Sequence, residues 1–171
     1  MNLVLELATP ADTERLGRAV GARLRAGDVV VLSGPLGAGK TVLARGIGAG
    51  LGVRGPITSP TFVIAREHPA LPGGRGVPLV HVDAYRLGGN AELDDLDLDT
   101  DLLTAAVVVE WGEGLAERLV DEHLLIRLQR PDADAEGSSD HSRVAQLCGP
   151  DRLIPEPACL MVTRQPEISH P

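Results

Sequence analysis

The spacing of hydrophobic and polar positions changes several times along the chain, and each change marks an element. Leu3 to Leu7 alternates apolar and polar residues, which predicts a first strand at a sheet edge. From Thr9 the period lengthens: Leu16, Ala19, Val20 and Leu24 recur at helical spacing. Thr9 reads as the N-cap, Pro10 fits the first turn, Asp12 suits the positive end, and Gly27 reads as the stop. The run from Asp28 to Ser33 predicts a buried strand, and a second helix runs from Lys40 through Leu43, Ile47 and Leu51 to a stop at Gly52. Downstream, strands are expected over 62–67, 77–82, 105–109, 123–129 and 143–147, with a helix over 113–120. Leu93, Leu96 and Leu103 suggest one more helical face within the acidic stretch 90–104, and 69–78 and 131–140 read as loops. Strands alternating with helices predict an α/β fold, a three-layer sandwich around a mixed, mostly parallel sheet. One domain is expected over 1–148, with a flexible tail over 149–171.

Between the second strand and the second helix lies Gly34-Pro35-Leu36-Gly37-Ala38-Gly39-Lys40-Thr41. This is G-x-x-x-x-G-K-[ST], the phosphate-binding loop, in the strand–loop–helix context that the pattern requires. Glycines let successive backbone N–H groups turn inward around a polyphosphate, and the helix start adds its positive dipole end. Lys40 is then expected to reach the β- and γ-phosphates, and the Thr41 hydroxyl to hold Mg²⁺. Lys40 is also the sole lysine, every other basic side chain being arginine. A compact ammonium and a planar guanidinium are not interchangeable at a phosphate, so the position itself demands lysine.

Composition narrows the partners. The net charge is −8, with acids crowded into 92–101, and no basic stripe is present to grip nucleic-acid phosphates. Phe62, Tyr85 and Trp111 are the only aromatic side chains, too few for a base-stacking surface. Strong direct binding of nucleic acid is therefore disfavoured. No apolar run approaches the roughly 18–20 residues that span a bilayer, and the start lacks the pattern of a signal peptide, so a cytoplasmic protein is expected. Cys148 and Cys159 read as structural thiols.

A phosphate-loop enzyme needs a further acid at the carboxyl end of a buried strand. Two strands end suitably, at Asp83 and at Glu110, and pattern alone does not say which acid holds the metal and which orients a water. Thr58, Ser59 and Thr61 read either as a turn locked by Pro60 or as a loop that senses the γ-phosphate. Arg118, Arg127 and Arg130 are too scattered for the arginine-rich lid of a small-molecule kinase. That kinase, and a nucleotide-gated switch that hardly hydrolyses, are the rival readings.

Four motifs occur together: Gly34 to Thr41, Ser59-Pro-Thr-Phe62, His81-Val-Asp-Ala-Tyr-Arg-Leu87 and Val109-Glu-Trp111. In this order and at these intervals, the chain closely resembles the bacterial TsaE (YjeE) family of small ATPases, from about Thr9 to Leu128. The resemblance implies ATP and Mg²⁺ as cofactors and the TsaD–TsaB heterodimer as partner. It also implies a role in forming threonylcarbamoyladenosine at position 37 of tRNAs that read codons starting with A. By the same likeness Leu36, Gly37, Ala38, Gly39, Lys40 and Thr41 bind the phosphates, and Thr41 with Glu110 holds Mg²⁺. Asp83 matches the acid needed for hydrolysis, and Trp111 the tryptophan beside the site. Pro10 and Arg143 match positions near the nucleotide. Pro35, where an acid is common, and Ala84, where leucine is usual, depart from the family pattern without removing a phosphate or metal ligand.

Overall fold

The computed structural model describes residues 2–58, 65–84, 101–112, 119–130 and 142–160. Among these, seven strands form one sheet: β1 (Asn2–Leu7), β2 (Val29–Ser33), β3 (Ala65–His68), β4 (Leu79–Asp83), β5 (Ala106–Glu110), β6 (Leu124–Gln129) and β7 (Arg143–Cys148). Their spatial order is β1-β7-β6-β2-β5-β4-β3. The four central strands β6, β2, β5 and β4 run parallel, and antiparallel pairings add β7 and β1 at one side and β3 at the other. The centre is apolar on both faces, as parallel strands require. Val30, Leu32, Val108 and Ile126 face one way, and Val29, Val31, Val107 and Val109 the other.

The described helices α1 (Pro10–Gly21) and α2 (Lys40–Leu51) cover the first of these faces with Leu16, Val20, Leu43, Ile47 and Leu51. Each side chain of this size hidden from water is worth about 1.5–3 kcal/mol. On the second face, Leu102, Leu119 and Val120 pack against the valine layer. Glycines bring the two helices together. A β-carbon on Gly17 or Gly21 would fall onto the carbonyl oxygen of Leu43 or Ile47, and one on Gly46 or Gly50 onto that of Glu14 or Arg18. The backbones therefore touch, and α1 is held alongside α2 with no room for a side chain between them.

Several expectations shift at their ends. The first helix stops at Gly21 rather than running to Gly27, because Arg23 and Leu24 turn their N–H groups to Val20 and Gly21 in a tighter three-residue turn. Gly27 instead supplies a left-handed turn (φ 87°) just before β2. The strand expected over 62–67 is seen over Ala65–His68, residues 59–64 lying outside the described residues. The helical face expected over 90–104 lies outside them except for 101–104, as does the helix over 113–120 except for Leu119 and Val120.

The stretch read as a tail is packed as far as Leu160. Two short 3₁₀ turns (Asp151–Leu153 and Pro157–Cys159) bring Leu153, Ile154 and Leu160 into the core. Arg152 fixes the first turn by forking onto Asp28, whose Oδ2 also accepts the Arg25 N–H at 2.8 Å. Cys148, expected as a structural thiol, is free and exposed at the end of β7, and the Cys159 side chain lies outside the described residues.

Candidate functional site

β2, in the middle of the sheet, delivers the chain to the glycine-rich loop at its carboxyl end. Gly34 leaves the strand at φ 139°, where a β-carbon would fall onto the Leu128 carbonyl oxygen of neighbouring β6, so only glycine passes. Gly39 (φ 104°) then turns the chain into α2 as a residue with no side chain to cap the helix. The contrast with α1 is instructive. There Thr9 accepts the Asp12 N–H, and Asp12 accepts the Thr9 N–H in return, closing the helix start on itself. At α2, among the described residues, no side chain takes that role, so the helix start is uncapped.

Lys40 opens α2, yet its ammonium folds back over the loop. Nζ donates to the carbonyls of Gly34 (2.7 Å) and Pro35 (3.0 Å) and sits 3.8 Å from the centre of the Trp111 ring. Burial pulls its pKa below the ordinary lysine value, opposed by the carboxylates of Glu110 and Asp83, which favour the charged form. Trp111 follows β5 directly. It is held in the left-handed region (φ 63°), costly for an aromatic residue, while its N–H bonds to the Leu32 carbonyl at 2.9 Å.

The two strand-end acids meet here. Asp83 and Glu110 are register partners across β4 and β5, so both side chains leave the same face beside α2, and both are buried. The Thr41 hydroxyl contacts both Glu110 oxygens, at 3.2 and 3.4 Å. His81, two residues before Asp83 and fully buried, places Nε2 3.0 Å from Glu110 Oε1. Among the described residues no cluster of three or more His, Cys, Asp or Glu side chains could hold a metal unaided. One hydroxyl and one or two carboxylates are hard oxygen donors. Such a donor set would suit Mg²⁺.

Arg143, far away in sequence, is brought to the loop: Nε donates to the Ala38 carbonyl at 3.0 Å and Nη2 to that of Gly37 at 3.3 Å. Arg130 joins it, reaching the Gly37 carbonyl at 3.5 Å. Arg130 was scattered in the sequence because nothing in the spacing says that β6 neighbours β2. Pro10 lies exposed in the first turn of α1, and it is Thr13, one turn on, that faces the loop, its Cγ2 3.8 Å from where a Gly39 β-carbon would stand. Leu36 is exposed at the apex of the loop, whereas Ala38 is buried. Thr58 is exposed; Ser59 and Thr61 lie outside the described residues. A cavity of about 380 Å³ lined by Asn2, Arg23, Arg152 and Glu156 opens at the other end of the sheet, away from these acids.

The fold and site define an open α/β protein in which a glycine-lined strand–loop–helix presents a buried lysine beside two strand-end carboxylates. Comparison with known proteins identifies its kind. The family model "Threonylcarbamoyl adenosine biosynthesis protein TsaE" matches residues 7–138, and the chain belongs to this family. It is 58% identical over 133 residues to the "tRNA threonylcarbamoyladenosine biosynthesis protein TsaE" of Streptomyces coelicolor, covering 77% of this chain and 88% of that one. It is 63% identical over 126 residues to the Mycobacterium tuberculosis protein of the same name, covering 70% and 74%. The crystal structure of Bacillus subtilis YdiB superposes with a TM-score of 0.63 at 30% identity, over 86% of this chain and 84% of that chain.

Proposed function

We propose that this chain binds ATP with Mg²⁺ at the glycine-rich loop and hydrolyses it in support of the TsaD–TsaB pair. That pair would form N6-threonylcarbamoyladenosine at position 37 of tRNAs that read codons starting with A. One observation carries the chemical half of this reading: Lys40, Thr41, Asp83 and Glu110 converge at the carboxyl end of the central strands. Family membership supports the pathway. The acidic net charge of −8 suits a subunit that leaves the grip on tRNA to a partner.

The roles follow from position. The open amides at the start of α2 and the backbone N–H groups of 36–41 cradle the phosphates. Lys40 exchanges the Gly34 and Pro35 carbonyls for the terminal phosphate oxygens, a short swing for an ammonium already at the loop. Thr41 and Glu110 hold Mg²⁺, which when bound neutralises charge building on the β- and γ-phosphates. Asp83, buried beside Glu110, orients the attacking water. Arg130 and Arg143 rest on loop carbonyls and do not point an unengaged guanidinium at the phosphates, which suits slow hydrolysis where a finger would add about 10³–10⁵ in rate.

Slow hydrolysis by the chain alone and faster hydrolysis with TsaD–TsaB is the expected result. A steady-state ATPase assay with and without the purified pair tests it, and equal turnover in both would contradict the reading.

A further inference from the structure

His81 has no part in the scheme above, and its surroundings ask for one. It lies in the middle of β4 between Val80 and Val82, which point into the valine layer, so its ring emerges on the opposite face with Asp83. The ring is wholly buried, and among the described residues Nδ1 has no hydrogen-bond partner. A strand interior among valines is served more cheaply by another apolar residue than by an imidazole with an orphaned nitrogen. Among the described residues, the one polar contact the ring makes is Nε2 to Glu110 Oε1, at 3.0 Å. With Nδ1 unpartnered, the tautomer bearing hydrogen on Nε2 turns that contact into a donated hydrogen bond.

We propose that His81 is a positioning residue for Glu110: its Nε2–H pins Oε1 and keeps the carboxylate turned toward Thr41. A glutamate at a strand end has three rotatable bonds, and a metal ligand that swings loses affinity. Here Oε1 is shared between His81 and the Thr41 hydroxyl at 3.2 Å, which leaves Oε2, 3.4 Å from that hydroxyl, as the oxygen less committed to the protein. The inference rests on the reading that Thr41 and Glu110 hold Mg²⁺. It adds an outer residue that sets how well they do so, an effect of about 10–100-fold where such partners are removed.

The test uses the full chain with a non-hydrolysable ATP analogue and titrates Mg²⁺, read by fluorescence of the single tryptophan, Trp111, which lies beside Lys40. His81→Leu is expected to raise the half-saturating Mg²⁺ concentration about tenfold or more. His81→Gln, which keeps an N–H donor, should stay within about threefold of the parent. Nucleotide affinity without Mg²⁺ should be unchanged in both. Glu110→Gln separates the layers. If it raises the Mg²⁺ requirement while His81→Leu does not, the positioning role is overturned and the metal site stands. If Glu110→Gln leaves the requirement unchanged, the metal reading falls and the inference with it. A Gln variant as impaired as the Leu variant also overturns it, since a donor then makes no difference. Should His81→Leu fail to fold, proton–nitrogen NMR of the parent imidazole decides: hydrogen on Nε2 supports the proposal, and an Nε2 without hydrogen overturns it.

Discussion

Replacing Gly46 by alanine is a sharp test of how α1 is held against the loop helix. In an exposed helix interior this change stabilises by about 0.5–1 kcal/mol, because alanine loses less chain entropy on folding. Here the new β-carbon would land on the Glu14 carbonyl oxygen, and 3.0 Å from both the Glu14 carbonyl carbon and the Gly17 Cα. All three are backbone atoms, which cannot rotate aside. Overpacking of this kind costs about 1–3 kcal/mol, so the sign reverses and a net loss of about 1–2 kcal/mol is expected. For a chain of 171 residues that corresponds to a Tm lower by roughly 2–8 °C, measurable by thermal melting with far-UV circular dichroism. Gly48→Ala is the control. The atoms nearest its β-carbon belong to the Ile57 and Val53 side chains, which can shift, so a smaller drop is expected. The same spreading of α1 from α2 would draw Thr13 away from Gly39 and weaken nucleotide binding. A Gly46→Ala protein melting at or above the parent would refute the backbone contact.

Other outcomes are expected. Lys40→Ala removes a charge-assisted donor worth about 1.5–3 kcal/mol and should weaken ATP binding about 10- to 100-fold by calorimetry; undiminished affinity would remove the central assignment. Asp83→Asn should cut kcat far more than it raises the Kd for ATP, checked by pairing an ATPase assay with that calorimetry. Arg152→Ala leaves a buried Asp28 carboxylate held by the Arg25 N–H; about 1 kcal/mol of stability should go, the low end of the range because the Arg152 side chain is about half exposed (48%). Burial pushes the Asp12 carboxyl up, but hydrogen bonds from Thr9 and the Arg15 guanidinium outweigh it and leave its pKa below the ordinary 3.8. A depressed carboxylate stabilises fully above its unfolded value and loses that contribution as pH falls through the folded one. Asp12→Asn should therefore lower Tm at neutral pH and flatten the acid side of the Tm–pH curve.

The elements legible in the sequence were those whose signal is local. The glycine spacing of the loop, the apolar runs of β2 and β5 and the Thr9–Asp12 start of α1 need no knowledge of the rest of the chain. Asp83 and Glu110 could be nominated because each ends such a run, yet only the parallel register of β4 and β5 makes them neighbours. Arg130 and Thr13 were missed for the same reason: their closeness to the loop depends on strand order and on glycine-to-glycine helix contact. Gly17, Gly21, Gly46 and Gly50 stand four apart in pairs, a clue to that contact which was present in the sequence. The 3₁₀ turns after Gly149 are not legible because three-residue turns are too short to show a period.

The strand order also sets a timetable. β1 precedes the other described strands in the chain, but its neighbour in the sheet is β7, and it can find that neighbour only after residue 148 has emerged. At synthesis speeds of about 5–20 residues per second the wait is roughly ten to thirty seconds, during which the backbone of β1 lacks its ladder partner. The newborn chain is thus open to premature pairing until β7 arrives, and damage to β7 would be felt at the opposite end of the sheet's sequence span.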